Sequence, residues 1–140
     1  MNPSFPSPIS TLVKADAGQR FAAAFIDGMV GYAPSLILGL LDYRLAFIGL
    51  IVQIGYLFTK DALPMVSGFL GGQSIGKKIM NIKVVKEDTG ASIVGDYGTA
   101  ITRQVSLIIP LFGIVDALMV FSDSRKRFGD QWAKTIVVKA

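Results

Sequence analysis

Asp27 stands seven residues into an apolar run that extends from Phe21 to Leu41, and it is the only charge in that run. A carboxylate so placed costs at least ~2.5 kcal/mol to insert into hydrocarbon unless it is protonated, paired or turned toward water. Arg20 precedes it by two helical turns, so the two side chains share a helix face about 10 Å apart, too far to pair directly. Each therefore needs another partner. Asp130 and Asp116 are the candidates for Arg20, and Arg103, Lys60 and the basic cluster around Arg127 are those for Asp27. Such a set can bind an ion or exchange a proton, or it can be a buried ion network that fixes helix register. The chain has no histidine and no cysteine. That excludes imidazole proton shuttling, thiol catalysis, disulfides and thiolate metal sites. Asp27 and Asp116 have no nucleophile or metal-ligand spacing around them, so neither an enzyme nor a metal or cofactor site is expected.

The elements that must position these residues are three apolar blocks, placed at about 21–41, 45–66 and 104–121. Hydrophobic residues make up 51% of the chain, charged ones 17%, and the mean hydropathy is +0.53. Each block reaches, or nearly reaches, the ~20 residues needed to cross ~30 Å of hydrocarbon. The expected fold is an all-α integral membrane protein with three membrane-embedded helical segments. Residues 1–17 read as a flexible tail rich in proline and serine, and residues 18–140 as one membrane domain. Lys60 and Asp61 interrupt the second block; a position at the membrane surface is expected, and if the helix instead continues to Phe69 they are buried and join the polar centre.

The net charge of +4 sits beside apolar blocks, which points to cytoplasmic loops and anionic lipid rather than nucleic acid. Lys77, Lys78, Arg125, Lys126 and Arg127 are the expected lipid or surface contacts. Gly71 to Lys78 matches a phosphate-binding loop superficially, but Lys78 occupies the magnesium-ligand position and no strand precedes it. The stretch reads instead as a glycine turn at the membrane surface.

Ile82 to Lys86 and Thr135 to Lys139 are short β-branched runs, the first closed by Glu87-Asp88-Thr89-Gly90. Paired with each other at the cytoplasmic face, they would place both basic clusters on one side of the membrane. The third segment would then have to be re-entrant, bent at Ile109-Pro110-Leu111-Phe112-Gly113. A full crossing would put one basic cluster outside. Both topologies remain open on the sequence.

Four motifs occur in fixed order: Gly18-Gln19-Arg20-Phe21-Ala22-Ala23; Asp27; Gly72-Gln73-Ser74-Ile75-Gly76-Lys77-Lys78-Ile79 ahead of a strand; and Arg127 to Val138 at the end. Together they resemble the RDD family of small bacterial and archaeal membrane proteins, named for one arginine and two aspartates. The resemblance implies that Arg20, Asp27 and Asp130 are those three residues. Gly129 and Gln131 stand where many members have His and Arg. It also implies transport, with sodium–proton exchange as the expected activity, sodium ion and protons as partners, and a cell-membrane location. An Asp27 that alternates between protonated and cation-bound states would need Arg20 as electrostatic partner, with Asp116 as a further acidic member. Three segments are few for a transport path, so a homo-oligomer is expected. The alternative is a non-transporting assembly protein in which the same residues only fix helix packing.

Overall fold

A computed structural model describes residues 12–62, 65–66, 69–70, 72–109, 111–123 and 125–140. Helix α1 (Ala17–Leu41) begins where Gln19 Oε1 accepts a hydrogen bond from the Asp16 backbone N–H. It runs through Pro34 and ends at Asp42, whose carboxylate accepts from Arg44 N at 2.9 Å and starts a 3-10 turn, Tyr43–Leu45. Helix α2 (Ala46–Thr59) returns along α1. Two short strands, β1 (Met65–Val66) and β2 (Phe69–Leu70), pair antiparallel. Helix α3 (Ile75–Ile79) leads into β3 (Ile82–Lys86), and helix α4 (Tyr97–Ile108) is followed by α5 (Phe112–Leu118) and a 3-10 turn, Met119–Phe121. Helix α6 (Phe128–Trp132) leads into β4 (Thr135–Lys139).

The expected strand pair forms. β3 and β4 are antiparallel, with Val84 opposite Val137 at the centre. The segment before α1 lies along the same sheet: Lys14 bridges Val138, and Ala15 N donates to Val137 O at 3.0 Å. The chain is thus ordered by residue 14, and the flexible tail expected up to residue 17 falls otherwise on residues 1–11, outside the described residues.

The other boundaries shift for local reasons. The second block does not continue as helix to residue 66, because α2 ends at Thr59; a helix carried through Pro64 would press its ring on the Lys60 carbonyl. The third block starts earlier, at Tyr97, and is not one helix. Ile109 is extended (φ −79°, ψ 114°), as a residue before proline prefers, and Leu111 takes a positive φ of 63°. The axes of Tyr97–Ile108 and Phe112–Phe121 consequently differ by 115°. Among the described residues α1 is the one unbroken helix long and apolar enough to cross a membrane, and Tyr43–Thr59 is a shorter apolar stretch.

Polarity is distributed inside out. On α1 the exposed residues Phe21, Phe25, Met29, Tyr32, Leu36 and Leu40 recur every three or four positions, while the buried face carries Arg20, Ala23, Asp27 and Gly31. Apolar packing concentrates instead around the strand pair, where Ile82, Val84 and Val137 pack with Ala15, Ile93 and Ala100.

Helices α1 and α2 meet where Gly49 has no side chain. A Cβ there would lie 2.3 Å from Ser35 Cα, whereas one on Gly55 would meet nothing within 4 Å. Gly49→Ala should therefore lower the stability of the detergent-solubilised protein by roughly 1–3 kcal/mol, as overpacking does. Gly55→Ala should be neutral or stabilise by up to ~1 kcal/mol, since it only removes glycine from a helix. Thermal unfolding of the two variants checks the pair.

Candidate functional site

The buried face of α1 opens onto a network of charges. Asp27, fully buried, accepts four hydrogen bonds: from Lys60 Nζ at 2.8 Å, Ser74 Oγ at 2.5 Å, Gly76 N at 2.7 Å and Tyr56 Oη at 3.1 Å. Of the partners open on the sequence, Lys60 is the one that binds it. Ser74 is also the N-cap of α3, where its Oγ accepts from Lys77 N. Gly76 reaches the carboxylate because α3 rests on α1; a Cβ at Gly76 would lie 2.0 Å from Ala23 O.

Arg20 pairs with Asp130 and also donates to the Arg125 carbonyl. Arg103 lies between two carboxylates. Its Nε and Nη2 donate to Asp130 Oδ1 at 3.1 and 2.7 Å, and its Nη1 donates to Asp61 Oδ2 at 3.2 Å. Asp61 also pairs with Lys77. Asp116 accepts from Ser106 Oγ at 2.8 Å and from Gly129 N at 3.2 Å, while the Arg127 guanidinium stands 3.9 Å from both Asp116 and Asp130. Asp27, Arg20, Asp116 and Asp130 are therefore all interior. Arg20 and Asp130 touch directly, whereas Asp27 has its own set of donors.

The charged residues around this network turn largely inward. Lys60 and Asp61 are buried rather than at a surface, because the turn after α2 folds inward onto Asp27 and Arg103. Lys77 pairs with Asp61, and Arg127 lies beside Asp116 and Asp130. Arg125 pairs with Asp16 at 3.1 Å and Lys126 with Glu87, and Lys78 is half-buried.

Between α1, α2, α4 and the α5 region lies a cavity of about 390 Å³. Its lining includes Asp27, Lys60, Arg103 and Arg127 together with Phe21, Leu57 and Ile108. No group of three or more His, Cys, Asp or Glu side chains with metal-binding geometry occurs among the described residues.

Burial by itself would raise the Asp130 carboxyl, but the charges of Arg103, Arg127 and Arg20 hold it well below the usual carboxylate range. Burial likewise works against ionisation of Asp61, and Lys77, Arg103 and Lys60 overcome it in the same way. Lys77 is lowered to about 7, chiefly by burial and further by the neighbouring charges of Arg103 and Lys60, against the pull of Asp61.

Outward apolar faces around a buried network of paired charges define the class: a mostly helical protein with the polarity of a soluble domain reversed. The model of the RDD family matches residues 14–134, and the chain belongs to that family. No curated protein matches the chain, and no solved structure does.

The partners missed on the sequence are Tyr56, Ser74 and Gly76 at Asp27, and Ser106 and Gly129 at Asp116. The shifts in ionisation give a pH dependence. Asp61 and Asp130 ionise more readily folded than in the unfolded chain, so their stabilisation is complete above about pH 4 and is lost as pH falls below it. Lys77 holds its proton less tightly folded (about 7) than unfolded (10.5), so stability also rises with pH between those values. Unfolding midpoints measured across pH should show both rises. Asp130→Asn should flatten the acid one and cost roughly 3–5 kcal/mol near neutrality, because Arg20 and Arg103 lose a buried partner. Lys77→Gln should flatten the alkaline one.

Proposed function

We propose that this chain is a multi-pass cell-membrane protein that transports a small solute, with the Asp27–Lys60 pair as its proton-exchanging element. The observation that carries the reading is the 2.8 Å bond between Lys60 Nζ and the buried Asp27 carboxylate, both in the lining of the cavity. In this reading a proton and a sodium ion take turns on the Asp27 carboxylate, each displacing the Lys60 ammonium from it. Proton and cation then compete for one carboxylate, which is what antiport requires. Arg20 and Asp130 anchor α1 at the end where Asp27 receives its partners.

In this reading α1 crosses the bilayer, Tyr43–Thr59 returns, and the bent α4–α5 pair enters and leaves on the side of β3 and β4. Lys83, Lys86 and the cluster at Arg125, Lys126 and Arg127 then share one face, which the excess of positive charge marks as cytoplasmic. The apolar stripe of α1 faces lipid or a second copy, and a homo-oligomer would complete the wall of the transport path.

One observation favours a second reading, in which the charges only lock the helices of an assembly protein: all four donors to Asp27 come from the chain itself. Proteoliposomes with a trapped pH dye separate the two. Under transport, a sodium, lithium or potassium gradient drives a pH change in the wild type, and the change disappears in Asp27→Asn and Lys60→Gln variants that remain folded and incorporated. No pH change for any of the three cations from well-folded wild type rejects the antiport and favours the assembly role.

A further inference from the structure

The cavity is more cationic than the network around it can neutralise. Arg20, Lys60, Lys77, Arg103 and Arg127 all line it, and Asp27 is the one carboxylate in its lining. The aspartates that pair with these cations are Asp27, Asp61, Asp116 and Asp130, so one positive charge is left over. The excess falls on Arg127. Its side chain is 16% exposed, and its closest carboxylate oxygens are 3.9 Å away, beyond hydrogen-bond reach. Among the described residues its guanidinium makes no hydrogen bond, while Arg20 and Arg103 each make two or more. A guanidinium that lines the cavity with its N–H donors not drawn into close hydrogen bonds can serve an anionic acceptor there.

The rest of the lining is apolar, including Phe21, Leu57, Phe58, Leu107, Ile108 and Val120. The two characters are offset along α4, since Arg103 and Ile108 are separated by roughly 7.5 Å of helix axis. A volume of about 390 Å³ falls within the roughly 300–1,000 Å³ typical of small-ligand sites. An inorganic anion would leave the apolar wall uncovered, and a neutral hydrocarbon would leave Arg127 without an acceptor. The occupant that satisfies both is an acidic headgroup carrying an acyl chain.

We infer that the cavity is a binding site for one anionic phospholipid, with the phosphate on Arg127 and an acyl chain along the wall formed by Phe21, Leu57, Leu107 and Ile108. The site differs from the general attraction of surface lysines for a negative bilayer, because its cations are interior and its capacity is one molecule. It is independent of cation–proton exchange and stands whether or not the Asp27–Lys60 pair transports anything.

The test is a lipid titration of the purified protein in uncharged detergent, followed by native mass spectrometry and by the thermal unfolding midpoint. Phosphatidylglycerol should bind to saturation at one molecule per chain and raise the midpoint, and phosphatidylcholine should do neither. Arg127→Gln should weaken phosphatidylglycerol binding by about tenfold or more, the loss expected of a charge-assisted contact. Lys126→Gln, a change at the residue paired with Glu87 outside the cavity, should leave binding as in the wild type. Ala24→Phe fills the cavity without altering charge and should also abolish binding, which keeps the test available if Arg127→Gln does not fold. Phosphatidylglycerol binding that survives in folded Ala24→Phe would overturn the proposal, as would equal binding of phosphatidylcholine. So would inorganic phosphate that competes for the site and reproduces the stabilisation by itself, since the site would then be one for a free anion.

Discussion

Arg103 is the contact on which the arrangement depends. Nearly fully buried, it holds Asp130 with two nitrogens and Asp61 with a third. Asp130 also receives Arg20 from α1, and Asp61 belongs to the turn that closes α2. One guanidinium thus ties together α1, the end of α2, α4 and α6. Lysine could not replace it, because a single ammonium lacks the planar fork that serves two carboxylates at fixed angles. In apolar surroundings a carboxylate left without such a partner costs several kcal/mol, so each aspartate in the network constrains where the next cation must stand.

The same geometric device is used twice. Gly76 lies against the Ala23 carbonyl of α1 and donates its N–H to Asp27; Gly129 lies against the Arg103 carbonyl of α4 and donates its N–H to Asp116. Each glycine opens a short helix that ends in a left-handed residue, Asn81 (φ 55°) or Lys134 (φ 52°), and then passes into a strand. The segments Ile75 to Lys86 and Phe128 to Lys139 superimpose in sequence, with Gly76 on Gly129 and Val84-Val85-Lys86 on Val137-Val138-Lys139. Val84 pairs with Val137 at the centre of the ladder, so a local two-fold relation passes between equivalent residues. The strand pair joins two copies of one helix–turn–strand unit.

Much of this was legible in the sequence. The apolar run around Asp27 located α1, the β-branched stretches located β3 and β4, and the isolation of Arg20 from Asp27 required separate partners, of which Asp130 and Lys60 were among the candidates. The bend between α4 and α5 was legible as an alternative, and the extended Ile109 has the conformation that a residue before proline prefers. The inward position of Lys60 and Asp61 was legible only as the alternative to a membrane-surface position, and there it was tied to a helix continuing to Phe69, whereas α2 ends at Thr59 and the turn after it carries both residues inward. Ser74 and Gly76 were visible only as turn residues, since close approach of one backbone to another leaves no periodic signal. The helix–turn–strand repeat was present in the letters, but four shared residues spread over twelve positions acquire weight only once the strands are seen to pair.

The two-fold relation also accounts for where the charge imbalance falls. Lys77 and Asp130 occupy equivalent positions, each one residue after its glycine, yet they carry opposite charge. Lys77 completes Asp61 and Asp130 completes Arg20, and Arg103 links the two halves by touching both aspartates. One position earlier in each unit than the residue before the glycine stand Ser74 and Arg127. Ser74 is neutral and is fully used by Asp27 and the start of α3, whereas Arg127 adds a charge that its half has no carboxylate left to bind closely. The spare cation therefore arises from the departure from symmetry between the two units, and it is placed at the cavity, where the unit containing Ser74 has its own carboxylate already satisfied.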